Sequence, residues 1–160
     1  MAITALALSN LSDYSETHAD GSSQFIYSRF LAPHLMHYQG WAIFMDGDML
    51  LRDDIVKLWE LRDESKAVMV VKHNYQTRAS SKCLGSGDQN YPRKSWSSVV
   101  LWNCAHLQNR MLTSAFVEHA TGVQLHCFSW LEDELMGELP MVWSWLPGEL
   151  SENAQAKLLH

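Results

Sequence analysis

Cysteine is scarce and unpatterned in this chain. Cys83, Cys104 and Cys127 make an odd count with no C-x-x-C spacing, which argues against a disulfide framework and against a zinc site, and leaves reduced thiols in the cytoplasm as the simplest account. Basic residues are also few. Twelve Lys and Arg stand against 18 Asp and Glu, a formal net charge of −6, so a nucleic-acid backbone is a poor main partner and an anionic substrate needs a metal ion or a local basic cluster. No apolar run approaches the length that crosses a bilayer, which predicts no transmembrane segment, and no tract is of low complexity. Residues 1–8 are apolar but lack a basic leading region and a cleavage site, so they read as a strand rather than a signal peptide. What remains is the composition of one soluble globular domain, residues 1–160, with 47% hydrophobic and 19% charged residues and enough length to bury a core.

The stretch around which the rest is organised is 41–54, Trp-Ala-Ile-Phe-Met-Asp-Gly-Asp-Met-Leu-Leu-Arg-Asp-Asp. Its first five residues read as a buried strand, and ligands of open α/β sheets bind beyond the carboxyl ends of strands. Asp46 and Asp48 stand at that end. Residues i and i+2 of an extended segment point the same way, so both carboxylates can face one cation, while Gly47 permits unusual backbone and close ligand approach. Hard oxygen ligands of this kind suit Mg²⁺ or Mn²⁺, which keep open positions for phosphate oxygens. Asp-Gly-Asp after a strand is equally ordinary turn chemistry, and local pattern leaves both readings open. Asp53 and Asp54 then read as a helix N-cap, with Ile55, Leu58 and Trp59 at i, i+3 and i+4.

Upstream, residues 9–23 read as a polar loop in which Ser22 or Ser23 caps a helix over 24–31 with Phe25, Ile26 and Phe30 on its apolar face. Pro33 ends or re-aims that helix. Arg29 lies in it just before the acidic strand, and reads either as a rim arginine or as a phosphate ligand. Downstream, 67–71 is a β-rich run predicting a second buried strand. Residues 73–95 are rich in Ser, Gly, Asn, Lys and Arg, too long for an ordinary connection, and predict a mobile loop in which Lys82, Arg93 and Lys94 add local positive charge. A third strand is expected over 96–102, closed by Asn103. Thr113 or Ser114 starts a short helix that Gly122 ends at its C′ position. Ser129-Trp130-Leu131-Glu132 reads as a capping box opening a helix with Leu131, Leu135 and Met136 on one face, and Glu132, Asp133 and Glu134 in its first turn suit the helix dipole. Trp143, Trp145 and Leu146 alternate as in a strand, and Lys157-Leu158-Leu159 reads as a last strand that brings His160 to its end, a position from which it can complete the Asp46 and Asp48 site.

The order of these pieces resembles the nucleotide-sugar glycosyltransferases of GT-A type, in particular family 8, the glycogenin and lipopolysaccharide galactosyltransferase group. Tyr27-x-Arg29 with Pro33 is similar to the family's helix before the metal strand, Phe44-Met45-Asp46-Gly47-Asp48 to its D-x-D motif, and Asp54-Ile55 with Leu58-Trp59 to the helix that follows. Residues 96–101 resemble its second conserved strand without the usual opening Asn and Gly. Glu132-Asp133 stands where the family has a Gln-Asp pair near the reacting sugar, Leu139-Pro140 and Trp143 match its Leu-Pro and Trp, and 157–160 resemble the segment whose histidine is the third metal ligand. The resemblance covers the chain from about residue 24 onward. It implies an α/β fold with a GT-A-like mixed sheet flanked by helices, here without the N-terminal strand that holds the nucleotide base, and a domain trimmed at both ends.

The activity implied is metal-dependent transfer of a sugar, with retention of configuration, from a nucleotide diphosphate-sugar such as a UDP-sugar to a hydroxyl acceptor on a sugar, a lipid-linked glycan or a protein. Mn²⁺ or Mg²⁺ is implied at Asp46, Asp48 and His160, the donor diphosphate at Arg29, Asp46, Gly47 and Asp48, and catalytic roles at Glu132 and Asp133. Two other readings stay open. A non-catalytic binding or oligomerisation module could keep this fold, covering exposed sheet edges by self-association. An Asp-dependent phosphohydrolase also uses Asp-x-Asp after a strand, though on its first strand and with Thr or Val where Leu50 stands here.

Overall fold

The computed structural model describes residues 2–18, 26–73 and 96–160. The expected loop lies, after His73, outside the described residues, as do Ser22, Ser23, Phe25, Lys82, Cys83, Arg93 and Lys94.

A four-stranded mixed sheet is built from β1 (Trp41–Met45), β3 (Val68–Val70), β4 (Val99–Asn103) and β5 (Met136–Glu138), in the order β1-β4-β3-β5. β4 runs antiparallel to both β1 and β3, and β3 runs parallel to β5. A second, two-stranded ribbon pairs β2 (Leu50–Leu51) antiparallel with β6 (Leu158–Leu159). β3 and β4 are buried along their whole length, as central strands with apolar residues on both faces must be. β1 spans the expected residues but is half-buried throughout, because it lies at the sheet's edge.

Side chains alternate across a strand, and here each parity feeds its own core. Val68, Val70, Val100 and Trp102 pack on one face with Phe30, Leu31, Val117, Leu125 and Phe128. Met69, Val71, Val99 and Leu101 pack on the other with Leu58, Leu139, Trp143 and Leu158. The first core is roofed by the 3₁₀ turn Ser28–Leu31, α1 (Ala32–Leu35), α3 (Ser114–His119) and α4 (Gly122–His126); the second by α2 (Ile55–Trp59) and the 3₁₀ turn Met141–Trp143. α2 starts where Asp54 accepts a hydrogen bond from the amide of Val56 at 2.9 Å, the expected cap. Asp53 is instead gripped by Lys57 and Lys157 at 2.8 and 3.3 Å. The Lys57 contact, then the Asp54 amide, hold its carboxyl down at about 2.

Several expectations are corrected. Residues 2–7 form no strand; Leu8–Asn10 is a 3₁₀ turn, and Leu11 and Tyr14 are buried against the first core. Pro33 does not end a helix but sits in the first turn of α1, where its missing N–H costs nothing. The third strand begins at Val99 rather than 96 and includes Asn103. Gly122 opens α4 rather than closing α3: Thr121 and Gln124 form a capping box there, and an added Cβ on Gly122 would collide with the Tyr27 hydroxyl. The left-handed residue that ends α4 is Phe128, at φ 49. Its amide bonds the carbonyl of Leu125 and the amide of Ser129 bonds that of Gln124, both at 3.0 Å, a Schellman closure. A left-handed phenylalanine costs roughly 1 kcal/mol, offset by a fully buried ring set among Phe30, Trp102 and Trp130 at 5.6–6.0 Å.

The helix expected after Ser129 is a single 3₁₀ turn, Asp133–Leu135, running directly into β5. Pairing of Met136, Gly137 and Glu138 with Val68, Met69 and Val70 overrides the helical spacing. Residues 141–143 form a 3₁₀ turn, and only Trp145 of the expected aromatic strand bridges to Leu159.

Candidate active site

The carboxyl end of β1 gathers five of the expected residues, Arg29, Asp46, Gly47, Asp48 and His160. Along β1, Phe44 faces the first core and Asp46 follows it two residues on, so both look toward the turn that carries Arg29. The Arg29 guanidinium pairs with both carboxylate oxygens of Asp46, Nη2 to Oδ1 at 2.8 Å and Nη1 to Oδ2 at 3.2 Å. The same group donates from Nε to the carbonyl of Ile26 at 2.8 Å and from Nη1 to that of Ser97 at 3.0 Å, and stands 5.2 Å over the Phe44 ring. Arginine's planar fork suits this site, where carboxylate, carbonyls and an aromatic face surround it.

Asp46 also donates its amide to the carbonyl of Ser98 at 3.2 Å, and its own carbonyl accepts from the amide of Met49 at 3.3 Å. Asp-Gly-Asp is therefore a turn as well as a pair of acids. Both readings of the motif are compatible, since the turn is what reverses the chain from β1 into β2. Gly47 has no positive φ, and an added Cβ there would meet nothing within 4 Å. The unusual backbone expected at Gly47 is not what keeps a glycine there.

His160 arrives through the ribbon. Pairing of Leu158–Leu159 with Leu50–Leu51 sets it beside the turn, and its amide bonds the carbonyl of Trp145 at 2.9 Å. Its Nε2 lies 3.8 Å from Asp46 Oδ2 and 3.9 Å from Asp48 Oδ1. The two acids differ sharply in environment: the Asp46 side chain is 18% exposed and that of Asp48 78%. Burial raises the Asp46 pKa, opposed by the charges of Arg29 and His160 and reinforced by Asp48. Two carboxylates and an imidazole have the right donor chemistry for Mn²⁺ or Mg²⁺. Both oxygens of Asp46 face Arg29, however, and among the described residues no group of three or more His, Cys, Asp or Glu side chains is arranged to hold a metal ion.

Sequence reasoning missed His73, at the end of the segment leaving β3. It is 7% exposed, lies 3.1 Å from the Ser144 hydroxyl through Nε2, and has its pKa lowered to about 4 by burial and then by the charge of nearby His160. It follows the β-rich run 67–71 and opens the polar stretch 73–95, so no local pattern marks it.

Glu132 and Asp133 are not brought to this place. β5 runs parallel to β3, and the Ala67 amide bonds the carbonyl of Leu135 while the Asn103 amide bonds that of Ala67. Leu135 therefore lies level with Asn103 and its partner Trp41, the first residue of β1. Glu132 and Asp133 precede Leu135, exposed, at the sheet end opposite Asp46. A surface cleft of about 460 Å³ beside Arg52, Val142 and Lys157 also excludes the two acids and His160.

Comparison with known proteins fits this architecture. The chain is 45% identical over 144 residues to Protein CDI of Arabidopsis thaliana, a match that covers 87% of this chain and 56% of that protein, so the chain spans little more than half the length of this relative. It superposes on mouse xyloside xylosyltransferase 1 in its apo form with a TM-score of 0.52 at 13% identity, covering 96% of this chain and 69% of that one. The glycosyltransferase GlyE of Streptococcus pneumoniae gives a TM-score of 0.51 at 13% identity, with 83% and 36% covered. Both likenesses concern the fold, a mixed sheet flanked by helices of GT-A type. Residues 3–121 match the model for Glycosyl transferase family 8, and the chain belongs to that family.

Proposed function

We propose that this chain forms the donor-binding part of a metal-dependent glycosyltransferase that moves a sugar from a nucleotide diphosphate-sugar to a hydroxyl acceptor. The observation that carries this reading is the convergence of Arg29, Asp46, Asp48 and His160 at the carboxyl end of β1. Family membership supports it.

In the transfer, the bond between the sugar's anomeric carbon and the diphosphate oxygen breaks, the acceptor hydroxyl oxygen bonds that carbon, and the hydroxyl proton is released. Negative charge grows on the departing diphosphate, so the chain's task is to hold positive charge against it. Asp46, Asp48 and His160 are the residues that would hold a divalent cation, Mn²⁺ or Mg²⁺, and that cation would supply Lewis-acid neutralisation of the diphosphate. Arg29 contributes a planar, bidentate cation of its own. Arg29 is paired with Asp46 in the free chain; with the donor present its guanidinium would turn to the diphosphate and the Asp46 carboxylate to the cation, so that neither charge would be left uncompensated.

UDP is the donor fragment of choice for a test, and a cytoplasmic setting is part of the reading, since three cysteines without C-x-x-C spacing suit reduced thiols. No helix among the described residues is long and apolar enough to cross a membrane. Calorimetric titration of UDP into the protein with Mn²⁺, repeated with EDTA and with Asp48→Asn, tests the proposal. Metal-dependent binding that Asp48→Asn abolishes is expected; binding that is absent, or indifferent to both EDTA and the substitution, overturns it.

A further inference from the structure

Behind the Arg29 and Asp46 pair lies a polar contact that donor binding does not itself use. Residues 97 and 98 form the turn leading into β4, and their carbonyls serve the two halves of the ion pair. Ser97 accepts from Arg29 Nη1 at 3.0 Å and Ser98 accepts from the Asp46 amide at 3.2 Å. The side chain of Ser97 points the other way, where its Oγ lies 2.8 Å from Nδ1 of His126, the last residue of α4. Both residues are nearly buried, at 4% and 9% exposure. The His126 ring is packed at 5.6 Å from Tyr27 and 5.3 Å from Phe30, the residues that bracket Arg29 on its own turn.

A buried imidazole and a buried hydroxyl cost desolvation that an apolar pair of the same shape avoids, and their mutual bond recovers only part of it. The contact is thus a poor way to fill a core. It is a good way to fix a turn, because a hydrogen bond sets direction where apolar packing sets only distance. Either imidazole tautomer makes it, with the hydroxyl donating to a bare Nδ1 or accepting from Nδ1–H.

We infer that Ser97 and His126 are positioning residues for the donor site. Their bond fixes the turn at 97 and 98, and that turn's two carbonyls set where Arg29 and Asp46 stand. The consequence for donor binding rests on the reading proposed above; the positioning itself does not.

Two measurements test this separately. The first observes the Arg29 side chain by ¹⁵N NMR in the wild type, Ser97→Ala, His126→Leu and His126→Asn, whose amide takes the place of Nδ1. The Arg29 guanidinium signals are expected to be sharp and rotationally hindered in the wild type, averaged in Ser97→Ala and His126→Leu, and restored in His126→Asn. Signals unchanged in folded Ser97→Ala overturn the inference, and that variant decides the matter by itself if His126→Leu does not fold, since it removes one oxygen atom.

The second titrates UDP with Mn²⁺. Ser97→Ala and His126→Leu are each expected to weaken binding by about fivefold, the worth of one net hydrogen bond, His126→Asn to leave it near the wild type, and the double variant Ser97→Ala/His126→Leu to weaken it no further than either of its singles. Additive losses overturn the inference. A wild type that binds no UDP overturns the proposed function and leaves the NMR comparison to decide the positioning.

Discussion

Arg29 meets Asp46 through two contacts, at 2.8 and 3.2 Å, and so occupies both oxygens of the carboxylate best placed to bind a cation. Burial nevertheless leaves the Asp46 pKa raised, since desolvation outweighs the charges of Arg29 and His160. A carboxylate whose folded pKa lies above its unfolded value weakens the fold as it ionises. That cost is set against the pairing with Arg29, whose own part-buried charge loses its counter-charge if Asp46 is neutralised. Asp46→Asn is therefore expected to lower the thermal midpoint at pH 7. Mn²⁺-dependent UDP binding should fall by ~100-fold or more. An unchanged midpoint would mean that the ion pair contributes nothing to the fold.

Gly47 separates fold from function in another way. The fold demands no glycine there, since the backbone is in an ordinary region and a Cβ would meet nothing. Gly47→Ala should leave stability within ~0.5 kcal/mol. If a donor's phosphates approach the turn closely, the same methyl should weaken UDP binding by about tenfold, roughly 1.4 kcal/mol. Binding equal to the wild type would show that the ligand keeps its distance from residue 47.

His73 should govern part of the acid limb of stability. Its folded pKa is lowered to about 4 from 6.5, by burial first and by His160 second. Between those values the unfolded chain binds a proton that the folded chain refuses, so stability falls as pH falls from 6.5 to about 4. At 1.36 kcal/mol per unit the loss amounts to roughly 3 kcal/mol. His73→Gln, whose amide can still reach the Ser144 hydroxyl, should flatten urea midpoints over that window. An unchanged slope would place the proton uptake elsewhere.

What could be read from the chain alone depended on where the signal was local. Residues 41–45 announce themselves because an apolar run sits between Gly40 and Asp46, and α2 because Asp54 stands one residue before an apolar i, i+3, i+4 face. β5 could not be read so: Met136 falls on a helical face with Leu131 and Leu135, and only parallel pairing with Val68–Val70 makes it a strand. The Thr121 and Gln124 box was present at the right spacing, but Gly122 between them looked like an ending. His160 lies 3.8 and 3.9 Å from the two acids, brought there by a two-residue ribbon with Leu50–Leu51 that leaves no periodic trace. Arg29 and Asp46 were each assigned to the donor, yet nothing local told that they pair, nor that Ser97 and His126, 29 residues apart, meet behind them.

The sharpest consequence of the topology concerns Glu132 and Asp133. Residues aligned by sequence with a sugar-facing pair should touch the donor's sugar, which hangs from the diphosphate and so cannot lie far from Asp46. Register puts them elsewhere. Leu135 is level with Ala67, Asn103 and Trp41, whereas Asp46 follows Met45 at the other end of β1, opposite Val99. Five residues of strand at about 3.3 Å each separate those two ends by roughly 16 Å, more than a side chain spans. Glu132→Gln and Asp133→Asn are therefore expected to leave Mn²⁺-dependent UDP binding within a factor of two, and, where transfer can be followed with a UDP-sugar, to leave turnover likewise unchanged. Loss of turnover in either variant with donor binding intact would return these acids to the reacting sugar and require β5 to enter the sheet in a different register.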